Sequence, residues 1–296
     1  MNTMSTKGTG TALVTPFDQN GQVDHSALET LVDHVIEGGV EYLVVLGTTA
    51  ESATLKDAEQ KEVISTIISA NNFRIPMVLG MGGNNTAALV QKLKQSDLSA
   101  FSSILSVAPY YNKPQQEGLY LHFKEVIDAC PIPVILYNVP GRTSSNISAD
   151  TCLRLAHYSE KVIAVKEASG DMGQIMQIVR QAPDHFSVLS GDDNLTLPMI
   201  SVGAKGVISV SGQLVPKDFS KMVRAALRSE MDEARRLHYK LYELTECLFE
   251  EGNPAGVKAG LAELGICNEW VRLPLSAVSQ DLKGRIANLL KRISDA

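Results

Sequence analysis

Cysteine is scarce. The 296 residues hold four, at positions 130, 152, 247 and 267, and no two of them form a CxxC pair. That spacing excludes a thiolate zinc ribbon and a dithiol redox motif, and it predicts reduced, mostly buried thiols. The six histidines include no HExxH run and no close pair, so a metal site has no support. No apolar stretch approaches the ~20 residues of a bilayer span. The opening Met1-Asn-Thr-Met-Ser-Thr-Lys lacks the apolar core of a leader, so a cytoplasmic protein with no membrane contact is expected. Basic runs are missing too, and with a formal net charge of −6 no nucleic-acid partner is expected. No GxGxxG follows the first apolar run, which takes away the usual signature of an open dinucleotide-binding sheet.

What is present is an ordinary globular composition, 44% hydrophobic and 20% charged. The chain is long for one domain, but α/β barrels run to about 250 residues as a single unit. Short β-type runs alternate with helical periodicity: Thr9–Phe17, Tyr42–Leu46, Pro76–Gly80, Ser103–Ala108, Pro133–Tyr137, Val162–Val165, Phe186–Ser190 and Gly206–Val210. Between them come amphipathic segments. One begins at a capping Asp24, repeats Leu28, Leu31, Val32, Val35 and Ile36 at helical spacing, and stops at Gly38-Gly39. Eight mostly apolar strands, each followed by a helix, predict an α/β fold: a (β/α)8 TIM barrel over residues 1–225. Residues 226–296 carry helical patterns only, with Ala234, Leu237, Leu241, Leu244 and Leu248 on one face, and predict a C-terminal helical appendage.

The stretch that organises the rest is Val162-Ile-Ala-Val-Lys166-Glu-Ala-Ser-Gly170. A near-continuous apolar run reads as a strand buried on both faces, and lysine is rarely buried without a partner or a purpose. Such a lysine can act as a free amine and form a Schiff base with a carbonyl; it can also be a strand-end residue whose head reaches solvent. Polar residues close several other strands: Thr48-Thr49, Tyr110-Tyr111, Tyr137 and Gly191. In a barrel all of these face the rim where chemistry is done. Tyrosine and threonine hydroxyls can relay the protons of imine formation, consecutive amides of a Gly-Thr-Thr turn suit a carboxylate, and Arg142 in a Pro-Gly-Arg-Thr turn suits a second one. Each residue alone has a plain structural reading, and it is their conjunction at strand ends that points to carbonyl chemistry.

Four motifs, Gly47-Thr-Thr-Ala-Glu-Ser-Ala-Thr-Leu55, Ala108-Pro-Tyr-Tyr-Asn-Lys-Pro114, Leu136-Tyr-Asn-Val-Pro-Gly-Arg-Thr143 and Val165-Lys-Glu-Ala-Ser-Gly170, closely resemble the dihydrodipicolinate synthase family, in order and from about Gly8 to the C-terminal helices. The resemblance implies a metal-free, cofactor-free reaction in which Lys166 forms a covalent imine with pyruvate, and the derived enamine attacks L-aspartate 4-semialdehyde. It implies a proton relay of Tyr137, Thr49 and Tyr111, the last reaching in from a neighbouring subunit of a homo-oligomer, a dimer of dimers. It places Thr48 and Thr49 at the pyruvate carboxylate, Arg142 at the carboxylate of the semialdehyde, and the backbone carbonyls of Gly191 and Ile208 beside the lysine. Sister pyruvate-dependent aldolases, such as N-acetylneuraminate lyase or keto-deoxy sugar acid aldolases, generally lack the Pro-Gly-Arg-Thr turn. A non-catalytic keto-acid sensor would have no use for Lys166 with Tyr137. One departure stands out: Ala50 occupies a position where the family commonly has glycine.

Overall fold

The computed structural model describes residues 6–295. The chain runs β1 (Gly8–Ala12), α1 (His25–Glu37), β2 (Tyr42–Val45), α2 (Asp57–Asn71), β3 (Met77–Gly80) and α3 (Thr86–Gln95). It continues through β4 (Ser103–Val107), α4 (Gln116–Ala129), β5 (Val134–Asn138), the single turn α5 (Pro140–Thr143) and α6 (Ala149–Tyr158). Then come β6 (Val162–Glu167), α7 (Met172–Gln181), β7 (Ser187–Ser190), α8 (Thr196–Ser201) and β8 (Gly206–Ser209). Four helices complete it: α9 (Pro216–Leu227), α10 (Met231–Glu250), α11 (Ala255–Glu263) and α12 (Gln280–Ser294). The strands close in sequence order, β1 to β8, into the expected (β/α)8 barrel, with the helical appendage after it.

The predicted elements form for local reasons that the structure makes explicit. Asp24 caps α1 by accepting from the Ala27 amide, Asn85 caps α3, Ser148 α6, Asp171 α7 and Ser279 α12. Each such cap is worth about 1 kcal/mol. The chain leaves α1 through Gly39 at φ 84°, a left-handed turn that glycine adopts without strain. The sequence pattern passed over α9, which starts with Pro216 in the first turn, and it read α5 as a plain turn. Because α9 runs on to Leu227, it crosses the expected boundary at residue 225.

By compactness the described residues fall into two units, residues 6–8 with Pro76–Ile208, and Thr9–Ile75 with residues 209–295. In the first, β3 to β7 pair in parallel; Val107 lies opposite Tyr137, Tyr137 opposite Lys166, and Lys166 opposite Leu189. In the second, the Gln213 side chain extends the ladder past the end of β1, accepting from Val14 N and donating to the Ala12 carbonyl. There α10 buries the predicted stripe of Ala234, Leu237, Leu241, Leu244 and Leu248. Cys130, Cys152 and Cys247 are buried and Cys267 half-buried, all four as free thiols. Among the described residues no helix is long and apolar enough to cross a membrane.

Candidate active site

Within the first unit, β5 and β6 bring two of the predicted residues together. Tyr137 and Lys166 are register partners, so their side chains leave the sheet on the same face. Both are buried, and the Lys166 ammonium nitrogen lies 4.5 Å from the centre of the Tyr137 ring. A cation at that distance is attracted by the ring face. Among the described residues no carboxylate is ion-paired with Lys166, and its ammonium group faces that aromatic ring.

Gly191 follows β7, and its amide donates to the Glu167 carbonyl at 2.7 Å. A β-carbon there would stand 2.7 Å from Ala168 Cβ and 3.0 Å from Lys166 Cε. The position therefore favours glycine, because Ala168 leaves no room for a β-carbon and the lysine stem passes close by. Ile208 is buried in β8. Arg142 is exposed on α5, one residue before the buried Thr143, whose hydroxyl donates to Val139 O and Ser145 O and so ties the turn together. Tyr111 is 89% exposed and holds a left-handed φ of 74°.

The Thr48-Thr49 pair belongs to the second unit and forms a 3₁₀ turn, closed by Ala50 N to Gly47 O and Glu51 N to Thr48 O. The amides of Thr48 and Thr49 precede the first of these bonds, the position at which helical turns leave N–H groups for an anion. Thr48 is exposed, whereas Thr49 is buried and its hydroxyl accepts from Asn253 Nδ2 at 3.0 Å. Ala50 sits in the turn without a positive φ, so its methyl introduces no backbone strain; its carbonyl accepts from the Thr15 hydroxyl.

Residues distant in sequence hold this turn. Glu51, left-handed at φ 53° and buried, accepts from Lys258 Nζ at 2.6 Å and from Arg272 N at 2.9 Å. Lys258 also donates to Trp270 O, and Arg272 to Thr54 O. The Phe17 ring takes Lys258 Nζ at 4.1 Å and the Arg272 guanidinium at 4.4 Å. Burial pushes the pKa of the Lys258 ammonium down, and the Glu51 carboxylate opposes that shift. Arg272 in turn holds the Glu59 carboxyl down to about 2 by hydrogen bonding. Asn253, Lys258 and Arg272 escaped the sequence reading, since nothing local marks a helix or loop residue as the partner of one some 200 positions away.

Residues 5–293 match the model of the dihydrodipicolinate synthetase family. The chain is 56% identical over 287 residues to 4-hydroxy-tetrahydrodipicolinate synthase of Flavobacterium psychrophilum, covering 97% of this chain and 98% of that protein. It is 47% identical to the synthase of the same name from Parabacteroides distasonis, over 99% of both chains. Its structure is similar to the crystal structure of dihydrodipicolinate synthase from Aquifex aeolicus, with a TM-score of 0.93, 41% identity, and 97% of this chain and 98% of that one covered. A monomeric dihydrodipicolinate synthase variant is similar as well, at a TM-score of 0.94, 36% identity and 97% of each chain.

Proposed function

The chain belongs to the dihydrodipicolinate synthetase family, and we propose that it condenses pyruvate with L-aspartate 4-semialdehyde through an imine on Lys166. The observation that carries the reading is the buried Lys166 amine against the Tyr137 ring. In this scheme Nζ adds to the pyruvate carbonyl, water leaves, and the imine gives up a methyl proton to become an enamine. The enamine carbon bonds to the aldehyde carbon, whose oxygen takes a proton. The amino group of the semialdehyde then attacks the imine carbon and displaces Lys166, closing the ring of 4-hydroxy-tetrahydrodipicolinate for diaminopimelate and lysine synthesis. The lysine is the covalent carrier throughout, and no further cofactor takes part.

The Thr48-Thr49 amides take the pyruvate carboxylate and Arg142 that of the semialdehyde. The Gly191 and Ile208 carbonyls lie beside the imine. Tyr137, Thr49 and Tyr111 move the protons, and the two threonines separate by measurement. Thr49→Val should slow imine formation more than Thr48→Val, and the reverse order would transfer the relay to the exposed Thr48 hydroxyl. Exposure of Tyr111 on the single chain supports its reaching a neighbouring subunit's site, in a dimer of dimers. Because one similar structure is monomeric, sedimentation velocity has to establish the oligomer. We assign the protein to the cytoplasm, residues 1–225 to the catalytic barrel and residues 226–296 to its helical appendage. The Pro-Gly-Arg-Thr turn favours the semialdehyde over the aldehydes of sister aldolases. The central test is borohydride added with pyruvate: it should inactivate the enzyme and leave one reduced pyruvyl group on Lys166. An adduct confined to another lysine would refute the assignment.

A further inference from the structure

Glu167 follows Lys166 directly, and consecutive strand residues point to opposite faces of a sheet. Its carboxylate therefore leaves β6 on the side away from the amine, and there it is buried, with 1% of its surface exposed. Asn138 Nδ2 donates to both carboxylate oxygens, at 3.0 and 3.1 Å; Gln174 Nε2 donates to one at 3.0 Å, and Ser169 N to the other at 2.9 Å. All of these donors are neutral amides, and among the described residues no ion pair includes Glu167. A buried carboxylate is costly unless its lone pairs are filled, and here they are filled from three separate elements.

Those elements carry the proposed chemistry. Asn138 follows Tyr137 on β5 and is the register partner of Glu167, as Tyr137 is of Lys166. The Asn138 amide also closes the segment that bears Arg142: Oδ1 accepts from Ile147 N at 2.9 Å, and Nδ2 donates to Asn146 Oδ1 at 2.7 Å. Asn146 Nδ2 then donates to Gln174 Oε1 at 2.9 Å, in the first turn of α7. The Glu167 carbonyl accepts the amide of Gly191, the glycine against the lysine stem. One side chain thus sits where the ends of β5 and β6, the base of the Arg142 segment and the start of α7 meet. Only a carboxylate, which accepts at both oxygens and donates at neither, fits a ring of converging N–H donors. Glutamine would aim an N–H group at the Gln174 amide.

We propose that Glu167 is a positioning residue, whose buried carboxylate holds Tyr137, Lys166 and the Arg142 segment in working register. The proposal rests on the imine reading of Lys166. A carboxylate that merely seats α7 would affect stability and leave the steady-state parameters of the folded enzyme alone. A positioning carboxylate affects both halves of the reaction, since β6 bears the amine and the Asn138 loop bears Arg142.

The test uses the full-length protein with Glu167→Gln, Gln174→Glu and the double exchange. In the exchange the carboxylate and the amide trade places, so that the 167–174 hydrogen bond re-forms with reversed polarity while position 167 still accepts from Asn138 and Ser169. For folded Glu167→Gln, the rate of borohydride-trapped pyruvyl adduct should fall and KM for the semialdehyde should rise. Together they should lower kcat/KM by roughly 10²-fold, the scale of an ångström-sized misplacement. The double exchange should recover at least about tenfold of that loss. Normal trapping and normal KM in Glu167→Gln would overturn the proposal. So would a Glu167→Gln chain that fails to fold while the double exchange folds without regaining activity. If the unsubstituted protein gives no adduct on Lys166, the imine reading fails and this proposal falls with it, an outcome recognisable because no mutation is needed to see it.

Discussion

Replacing Lys258 by methionine keeps an unbranched side chain one heavy atom shorter and removes its charge. The perturbation is severe because both partners of this pair are buried, with 0% and 1% of their side-chain surfaces exposed and Nζ 2.6 Å from Glu51 Oε1. The variant also strips a donor from Trp270 O and a cation from the Phe17 face. What remains is a buried carboxylate that still accepts from the Arg272 amide. Breaking a buried pair from one side costs about 3–5 kcal/mol, several times the ~0–1 kcal/mol of an exposed pair. Urea unfolding at fixed protein concentration should therefore show a loss of about 3–5 kcal/mol with an unchanged slope. Adding Glu51→Gln removes the stranded charge while keeping an acceptor for Arg272 N, and should restore most of the loss. Because Glu51 directly follows the Thr48–Ala50 turn, the single variant should also raise KM for pyruvate, by roughly tenfold for each 1.4 kcal/mol of carboxylate binding lost. A cost below ~1 kcal/mol, or a double variant no more stable than the single one, would refute the reasoning.

Arg142→Ala should raise KM for the semialdehyde, with imine formation intact, by the 1.5–3 kcal/mol (about 10- to 100-fold) of a charge-assisted contact; failure to form the adduct would give Arg142 a pyruvate-side or structural role. Gly191→Ala should reduce trapping at Lys166 by tenfold or more, since the new methyl stands about 3 Å from the lysine stem and closer still to Ala168; wild-type trapping would show that the stem moves aside freely. His122 is buried on α4, with Nδ1 2.9 Å from the Thr86 hydroxyl, and burial takes its pKa down to about 4. A histidine whose folded pKa is depressed binds fewer protons folded than unfolded between about pH 4 and 6.5. Its contribution is therefore complete above 6.5 and lost as pH falls, by roughly 1–2 kcal/mol at pH 5. Urea titrations at pH 7 and pH 5 should show that drop, and His122→Gln should shrink it; an equal drop in the variant would place the pH dependence elsewhere.

Two lysines show what the sequence made legible and what it left hidden. The strands could be read because parallel β-structure writes itself as short apolar runs, and the helices because caps such as Asp24 and Asn85 stand at their starts. Lys166 could be read for the same reason: a charge at the end of such a run is conspicuous. Lys258 is buried more completely, yet it lies in α11, where no apolar strand frames it, and its partner Glu51 is 207 positions away. The amide ring around Glu167 escaped notice likewise, because Asn138 and Gln174 become its donors only when strands and helix are assembled. The 3₁₀ turns and α5 are too short for a period to register, while α9 went unmarked between the last strand and the appendage. Burial alone thus does not make a lysine a nucleophile. Lys258 is fixed by a carboxylate and a carbonyl that use its charge, and these tie it to structure. Lys166 is buried against an aromatic ring, with a glycine opposite its stem and no carboxylate paired to it among the described residues. Such an amine suits the attack on a carbonyl proposed for Lys166, and what separates the two lysines is the company each side chain keeps in the folded chain.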